Sequence, residues 1–218
     1  MTSDGGGRDG RYNTYLADRT RGIELVDRTF RPTGLMYGHL GRALSEIAKG
    51  PCYTLESNVE GWEQCHYISG KKMGYAALGT TREDWAPYLE DMYHGRKREG
   101  VGGLLGANPS TSDERDFAAT SQAVFERVAL RIMRRWLWRF PGVVGVVMTG
   151  GCGLNVPLNM AAKRELGYPV HIPSTPNDGG LSVGGAWLQR PPPMGWRGGR
   201  RGGRGGEQYG QGGPGRQG

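Results

Sequence analysis

The sequence predicts an α/β fold, and two observations carry that prediction. Residues 149–187 read as strand, glycine loop, helix, strand, glycine loop, helix, an alternation typical of a sheet covered by helices. Just ahead of them stands the run Val143-Val144-Gly145-Val146-Val147-Met148, bounded by Pro141-Gly142 and Gly150-Gly151. So short, apolar and β-branched a run suits a buried parallel strand better than a helix.

Asp4-Gly5-Gly6-Gly7 opens the chain and by itself is a flexible start of the kind termini often have. Residues 12–17 and 22–29 read as a β-hairpin, with Ile23 and Leu25 alternating with polar neighbours in the second strand. Residues 35–49 make an amphipathic helix whose Met36, Leu40, Ala43, Leu44 and Ile47 share a face, and Lys49-Gly50-Pro51 is a strong stop. His39 lies near that stripe without a second His four residues away, so it reads as a packed or exposed side chain and not as a ligand. Lys71 and Lys72 read as a solvated pair in a loop. Residues 81–93 include a short helix with Trp85, Leu89 and Met92 on one side and Pro87 in its first turn, and 94–112 form a polar, glycine-rich connection.

The longest helix begins near Ser112, where Thr111 and Glu114 stand at capping-box spacing and Asp113, Glu114 and Asp116 suit the positive end of the dipole. Its buried stripe is Phe117, Ser121, Val124, Val128, Ile132 and Trp136, and Arg131, Arg134, Arg135 and Arg139 fall late in the helix, where cations suit its C-terminal end. That placement accounts for the basic cluster without nucleic acid.

The chemistry is read from the two loops. At Gly150-Gly151-Cys152-Gly153 the absence of Cβ atoms lets backbone N–H groups approach a ligand. The helix from Val156 adds roughly half a positive charge at its start. Together they describe a nucleotide or phosphate cradle. That helix stops at Gly167, Tyr168-Pro169-Val170-His171-Ile172 reads as a second strand, and Pro176-Asn177-Asp178-Gly179-Gly180 turns the chain again. Asp178 sits where open α/β sheets place ligands, and reads either as an N-cap or as a metal ligand. Glycine turns of this kind are common, so spacing alone names no reaction.

A resemblance does. Thr149-Gly150-Gly151-Cys152-Gly153-Leu154-Asn155, Pro176-Asn177-Asp178-Gly179-Gly180 and Gly184-Gly185-Ala186 resemble the Gly-Gly-Val-Ala-Leu-Asn and Gly-Asp-x-Gly pattern of carbamoyltransferases of the NodU and antibiotic O-carbamoylation type. Gly70-Lys71-Lys72-Met73-Gly74-Tyr75-Ala76 resembles their Gly-Lys-x-Met-Gly-Leu-Ala, and residues 117–126 follow their Phe-Ala-Ala-x-x-Gln-x-x-Phe-Glu helix. The transferase domain of that family is similar to the synthase of tRNA threonylcarbamoyladenosine. The resemblance therefore implies part of an actin- or hexokinase-like (ASKHA) domain, its second half, over residues 1–189.

It further implies ATP-linked transfer of a carbamoyl group from carbamoyl phosphate to an acceptor hydroxyl through a carbamoyl-adenylate. Gly150, Gly151, Asn155 and Lys71 would then face the nucleotide, and Asp4, Gly5, Gly6 and Gly7 the phosphate. Asp178 would be the catalytic carboxylate and a ligand of a divalent metal, iron or magnesium. The family's His-x-x-x-His pair and its adenylate-forming domain have no counterpart here, nor does the apolar strand expected before Asp4. The expectation is a fragment or diverged member that begins partway into its domain, weak or inactive unless a second polypeptide supplies the missing half. A small-molecule kinase of the same broad fold fits the glycine loops but not the lysine segment or the long helix.

Composition bounds the rest. The 218 residues carry a net charge of +7, of which the six Arg and one Glu from Arg190 onward supply +5. The basic character is a property of the tail. Residues 190–218, with Arg-Gly-Gly at 197, 201 and 204 and with Trp196 and Tyr209 interleaved, form a low-complexity segment expected to be disordered. Arg with scattered aromatics can bind single-stranded RNA, which supplies the alternative reading of an RNA-associated protein whose domain is a scaffold. Cys52, Cys65 and Cys152 show neither disulfide nor zinc rhythm, and no apolar run approaches the roughly 18 residues of a membrane span. A reducing, cytoplasmic setting is the expectation.

Overall fold

A computed structural model describes residues 2–3, 12–29, 33–48, 60–96 and 102–191. Asp4, Gly5, Gly6 and Gly7 and the tail from residue 192 lie outside them. The N-terminal hairpin forms as the alternation predicts, β2 (Tyr12–Asp18) pairing antiparallel with β3 (Gly22–Thr29). The Asp18 carboxylate accepts from the Thr20 and Arg21 backbone N–H groups and from the Thr20 hydroxyl, which closes the turn and lowers its pKa to about 2. Two residues ahead of Asp4 do pair as a strand, β1 (Thr2–Ser3), with Thr2 opposite Asn13.

Where one helix was expected over 35–49, there are two, α1 (Thr33–Gly41) and α2 (Ser45–Ala48). The break has a partner distant in sequence. Glu114, buried at 2% exposure, accepts the Ser45 N–H at 2.9 Å and so starts a new helix where local propensity favours continuing the old one. Because Glu114 is turned to that task, the box that begins the long helix α6 (Thr111–Arg139) uses Ser110 and Asp113, one residue earlier than predicted.

Gly70 and Gly74 lie inside a helix, α3 (Glu60–Ala76), and not in the expected loop. Neither glycine has a heavy atom within 4 Å of where its Cβ would be, so no close approach demands it. Packing of α3 against α1 and α6 overrides their weak helix propensity. Helix α4 (Ala86–Tyr93) begins with Pro87 in its first turn, as predicted, and a short α5 (Gly102–Leu105) interrupts the connection to α6.

Helix α6 is the spine. All six residues of its predicted stripe are buried, and it packs against α1, α3, α4 and α7 (Val156–Glu165). Three of its arginines are answered by carboxylates: Arg127 by Glu83, Arg131 by Glu90 and Arg134 by Glu165. These partly exposed pairs orient the neighbouring elements more than they stabilise them.

After α6, β4 (Val146–Val147) pairs parallel with β5 (Val170–His171), Val146 opposite Val170, with α7 as the crossover. The strands are shorter than the apolar runs that announced them. The described residues therefore form a mixed α/β architecture of small sheets with flanking helices. Residues 182–218 form a separate unit, of which the end of helix α8 (Leu181–Gln189) is described. No helix of the described residues is long and apolar enough to cross a membrane.

Candidate functional site

The parallel pair fixes where both glycine loops emerge. From β4 the chain reaches Gly150, which takes φ +89°, a conformation that glycine adopts without strain, and then winds into a 3-10 turn over Gly151–Leu154. Beyond β5 the second loop contains a further 3-10 turn, Asp178–Gly180. The loops are joined, because the Gly150 N–H donates to the Pro176 carbonyl at 2.6 Å. A Cβ on Gly153 would stand 2.8 Å from the Pro176 Cβ, so this glycine lets one loop lie on the other.

Asn155 ends the first loop and is buried. Its side-chain oxygen Oδ1 caps α7 by accepting the Leu158 N–H at 2.9 Å, and also accepts from the Gln122 side-chain amide at 3.0 Å. Its own amide donates to the Gln122 oxygen at 3.1 Å. Gln122 is thereby saturated, since it also accepts from the Tyr37 hydroxyl at 2.5 Å and donates to Glu126 at 2.7 Å. Asn159 completes the clamp by donating to the Gly153 carbonyl at 2.7 Å.

The cluster continues inward. Lys72 donates to the Ser121 hydroxyl at 2.6 Å and to the Tyr37 carbonyl at 3.1 Å, and the Tyr93 hydroxyl lies 2.9 Å from the Ser121 oxygen. Burial pushes the Tyr37 and Tyr93 phenols up from the usual tyrosine range. Hydrogen bonds from Asn155 and Ser121 oppose this, and the nearby Cys152 adds to it. Burial raises the Glu126 carboxyl in the same way, with the Gln122 amide pulling against it. Burial also lowers the Lys72 amine well below the ordinary lysine value of 10.5.

Residues 101–187 match a family model described as Carbamoyltransferase N-terminus. Over this segment the chain is similar to the carbamoyltransferases. Nodulation protein U of Sinorhizobium fredii (strain NBRC 101917 / NGR234) is 28% identical over 192 residues, which cover 74% of this chain and 32% of that protein. Nodulation protein U of Bradyrhizobium diazoefficiens is 26% identical over 193 residues, 76% of this chain and 32% of its own length. That of Rhizobium tropici is 28% identical over 192 residues, with shares of 76% and 32%. The chain thus spans about a third of the length of these curated relatives.

The segment matched by the family model contains both loops, α6, Gln122 and Asn155, while Tyr37 and Lys72 lie ahead of that segment. Of the residues singled out in the sequence, Gly150, Gly151 and Asn155 share one turn, and Asp178 follows Pro176 in the loop joined to it. Lys71 is on the exposed side of α3, and its neighbour Lys72 turns inward. Reading the two as a solvated loop pair is corrected on both counts, since they are helical and one is fully buried.

Asp178 is exposed, and among the described residues no three His, Cys, Asp or Glu side chains come together as a metal site requires. One carboxylate does not fit a divalent cation, so a metal at this loop needs ligands from outside the described residues. Sequence reasoning missed Tyr37, Lys72 and Gln122. A signal was present for Gln122: with Ser121 it places polar groups in the helix turn between the buried Phe117 and Val124.

Proposed function

We propose that this chain takes part in carbamoyl-group transfer and that its joined glycine loops form the face that receives a nucleotide. One observation carries the reading: the segment matched by the carbamoyltransferase family model includes both loops and the helix beneath Asn155. The Gly151 backbone and the positive end of α7 supply the attraction for an anion, the Gly150 N–H being engaged by Pro176. Asn155 contributes by shape, since its amide is engaged with Gln122 and with the start of α7.

The finer reading is ATP-linked transfer from carbamoyl phosphate to an acceptor hydroxyl by way of a carbamoyl-adenylate. The nucleotide would activate the carbamoyl carbon toward a hydroxyl. This chain's part is to orient the phosphates on the loop and to hold Asp178 beside them. Lys71 and the segment Asp4, Gly5, Gly6 and Gly7 are proposed to add positive charge and phosphate contacts. A second polypeptide would supply the remaining groups, including any metal ligands.

Calorimetric titration of ATP, with and without magnesium, into the full chain and into Asp178→Ala tests the proposal. Micromolar to millimolar binding that weakens in the variant is expected. A folded chain that binds no ATP at millimolar concentration would refute the nucleotide reading. Production of a carbamoylated hydroxyl compound by the purified chain alone would refute the need for a second polypeptide.

A further inference from the structure

A lysine inside a protein is an expensive way to fill space. Lys72 is 0% exposed, and among the described residues no carboxylate pairs with it. Its surroundings instead offer two acceptors, the Tyr37 carbonyl and the Ser121 hydroxyl, with the Tyr37 ring centroid 4.0 Å from Nζ. Two acceptors match the two N–H groups of an uncharged amine. A methionine or leucine would occupy the same volume without burying a polar head, so what the lysine adds is hydrogen bonding.

The bonds lead somewhere. Lys72 holds Tyr37 by its backbone and its ring face, the Tyr37 hydroxyl donates to Gln122, and Gln122 grips Asn155, which ends the glycine loop and caps α7. Each link is buried, where a polar group without its partner costs about 1–3 kcal/mol, so the links favour one common arrangement.

We propose that Lys72 is a positioning residue for the glycine loop: it fixes Tyr37, Tyr37 orients the Gln122 amide, and that amide holds Asn155 and with it the shape of residues 150–155. The consequence for ligand binding rests on the nucleotide reading above, whereas the consequence for loop shape does not.

The test uses the full-length chain, with Lys72→Met, Tyr37→Phe and the double variant. Tyr37→Phe keeps the ring and the backbone carbonyl and removes only the hydroxyl that joins the two halves. Amide hydrogen exchange is followed at residues 151–154 and 158, with α4 amides as the internal reference, and ATP binding is measured by calorimetry. Each single variant is expected to speed exchange in the loop at least tenfold, to leave α4 within threefold, and to weaken any ATP binding about tenfold. The double variant should be no faster than the faster single one, because both cut the same relay.

Loop exchange unchanged in Tyr37→Phe, or single effects that multiply in the double variant, would overturn the relay. If Lys72→Met does not fold, Tyr37→Phe and Ser121→Ala decide the matter: the first must loosen the loop, and the second must do so through the loss of the Lys72 acceptor. A wild-type chain that binds no ATP ends the nucleotide reading, and the exchange data still decide the role of Lys72.

Discussion

Replacing Lys72 by Met should change how stability depends on pH. The unfolded chain keeps this side chain protonated up to about its ordinary value of 10.5, while the folded chain releases the proton earlier because burial disfavours the ammonium. Between the two values the unfolded state carries one more proton, so stability rises with pH. The slope for one proton is about 1.4 kcal/mol per pH unit.

The penalty is absent above the unfolded value, grows as pH falls, and is complete below the folded one. The groups facing Lys72 constrain the working range: Tyr37 from α1, Ser121 from α6 and Tyr93 from α4, whose hydroxyl reaches Ser121. On α3's other contacts, Glu114 of α6 is engaged with Ser45, and Glu46 of α2 lies by Tyr75. Both buried tyrosines are shifted upward and lower stability only above pH 10, so urea melts at half-unit steps from pH 7.5 to 9.5 isolate the lysine. The wild type should gain on Lys72→Met by about 1–3 kcal/mol across that span, the full value applying if the folded amine is neutral throughout. Loss of two hydrogen bonds in the variant shifts its whole curve without tilting it. Parallel curves for the two proteins would refute the reasoning.

The remaining predictions are narrower. Gly153→Ala should cost about 1–3 kcal/mol in urea unfolding, because its new Cβ meets Pro176 at 2.8 Å and must spread the loops. Gln122→Leu should cost about 2–5 kcal/mol, since it strands the Tyr37 hydroxyl and the Asn155 amide together; a loss under 1 kcal/mol would show that the amide pair is replaceable. The Asp18 carboxyl should titrate near pH 2 by NMR, and its contribution to stability, present above the usual carboxylate range, should fade as pH falls toward that value; Asp18→Asn should remove that dependence. Glu114→Ala should loosen the Ser45–Ala48 helix by amide exchange while leaving the Ser110 and Asp113 box at the head of α6 in place.

Much of this was legible because it is local. The hairpin follows from alternation over neighbouring residues, α6 from a stripe repeated along its length, and both loops from glycines flanked by apolar runs. What escaped depends on groups far apart in the chain. The break between α1 and α2 is made by Glu114, 69 residues beyond Ser45. The helical state of Gly70 and Gly74 is imposed by α1 and α6, and no window around Lys71 and Lys72 tells which of the pair turns inward. The amide cluster was half visible, since Gln122 and Asn155 both stood in family-like patterns. Nothing in those patterns says that the two side chains bond to each other across 33 residues.

The hydrogen bond from Gly150 to Pro176 ties the chain into a closed ring through β4, α7 and β5. A ring fastened at its mouth tolerates change unevenly. Residues can be added or removed around the turn after α7 with little effect on the mouth, but a single insertion in 150–153 or 175–177 slides the two lips out of register. Length variation in this protein should therefore be accepted at Gly167 and rejected at either lip, which makes the far end of the ring the place to attach a reporter that senses the loops without disturbing them.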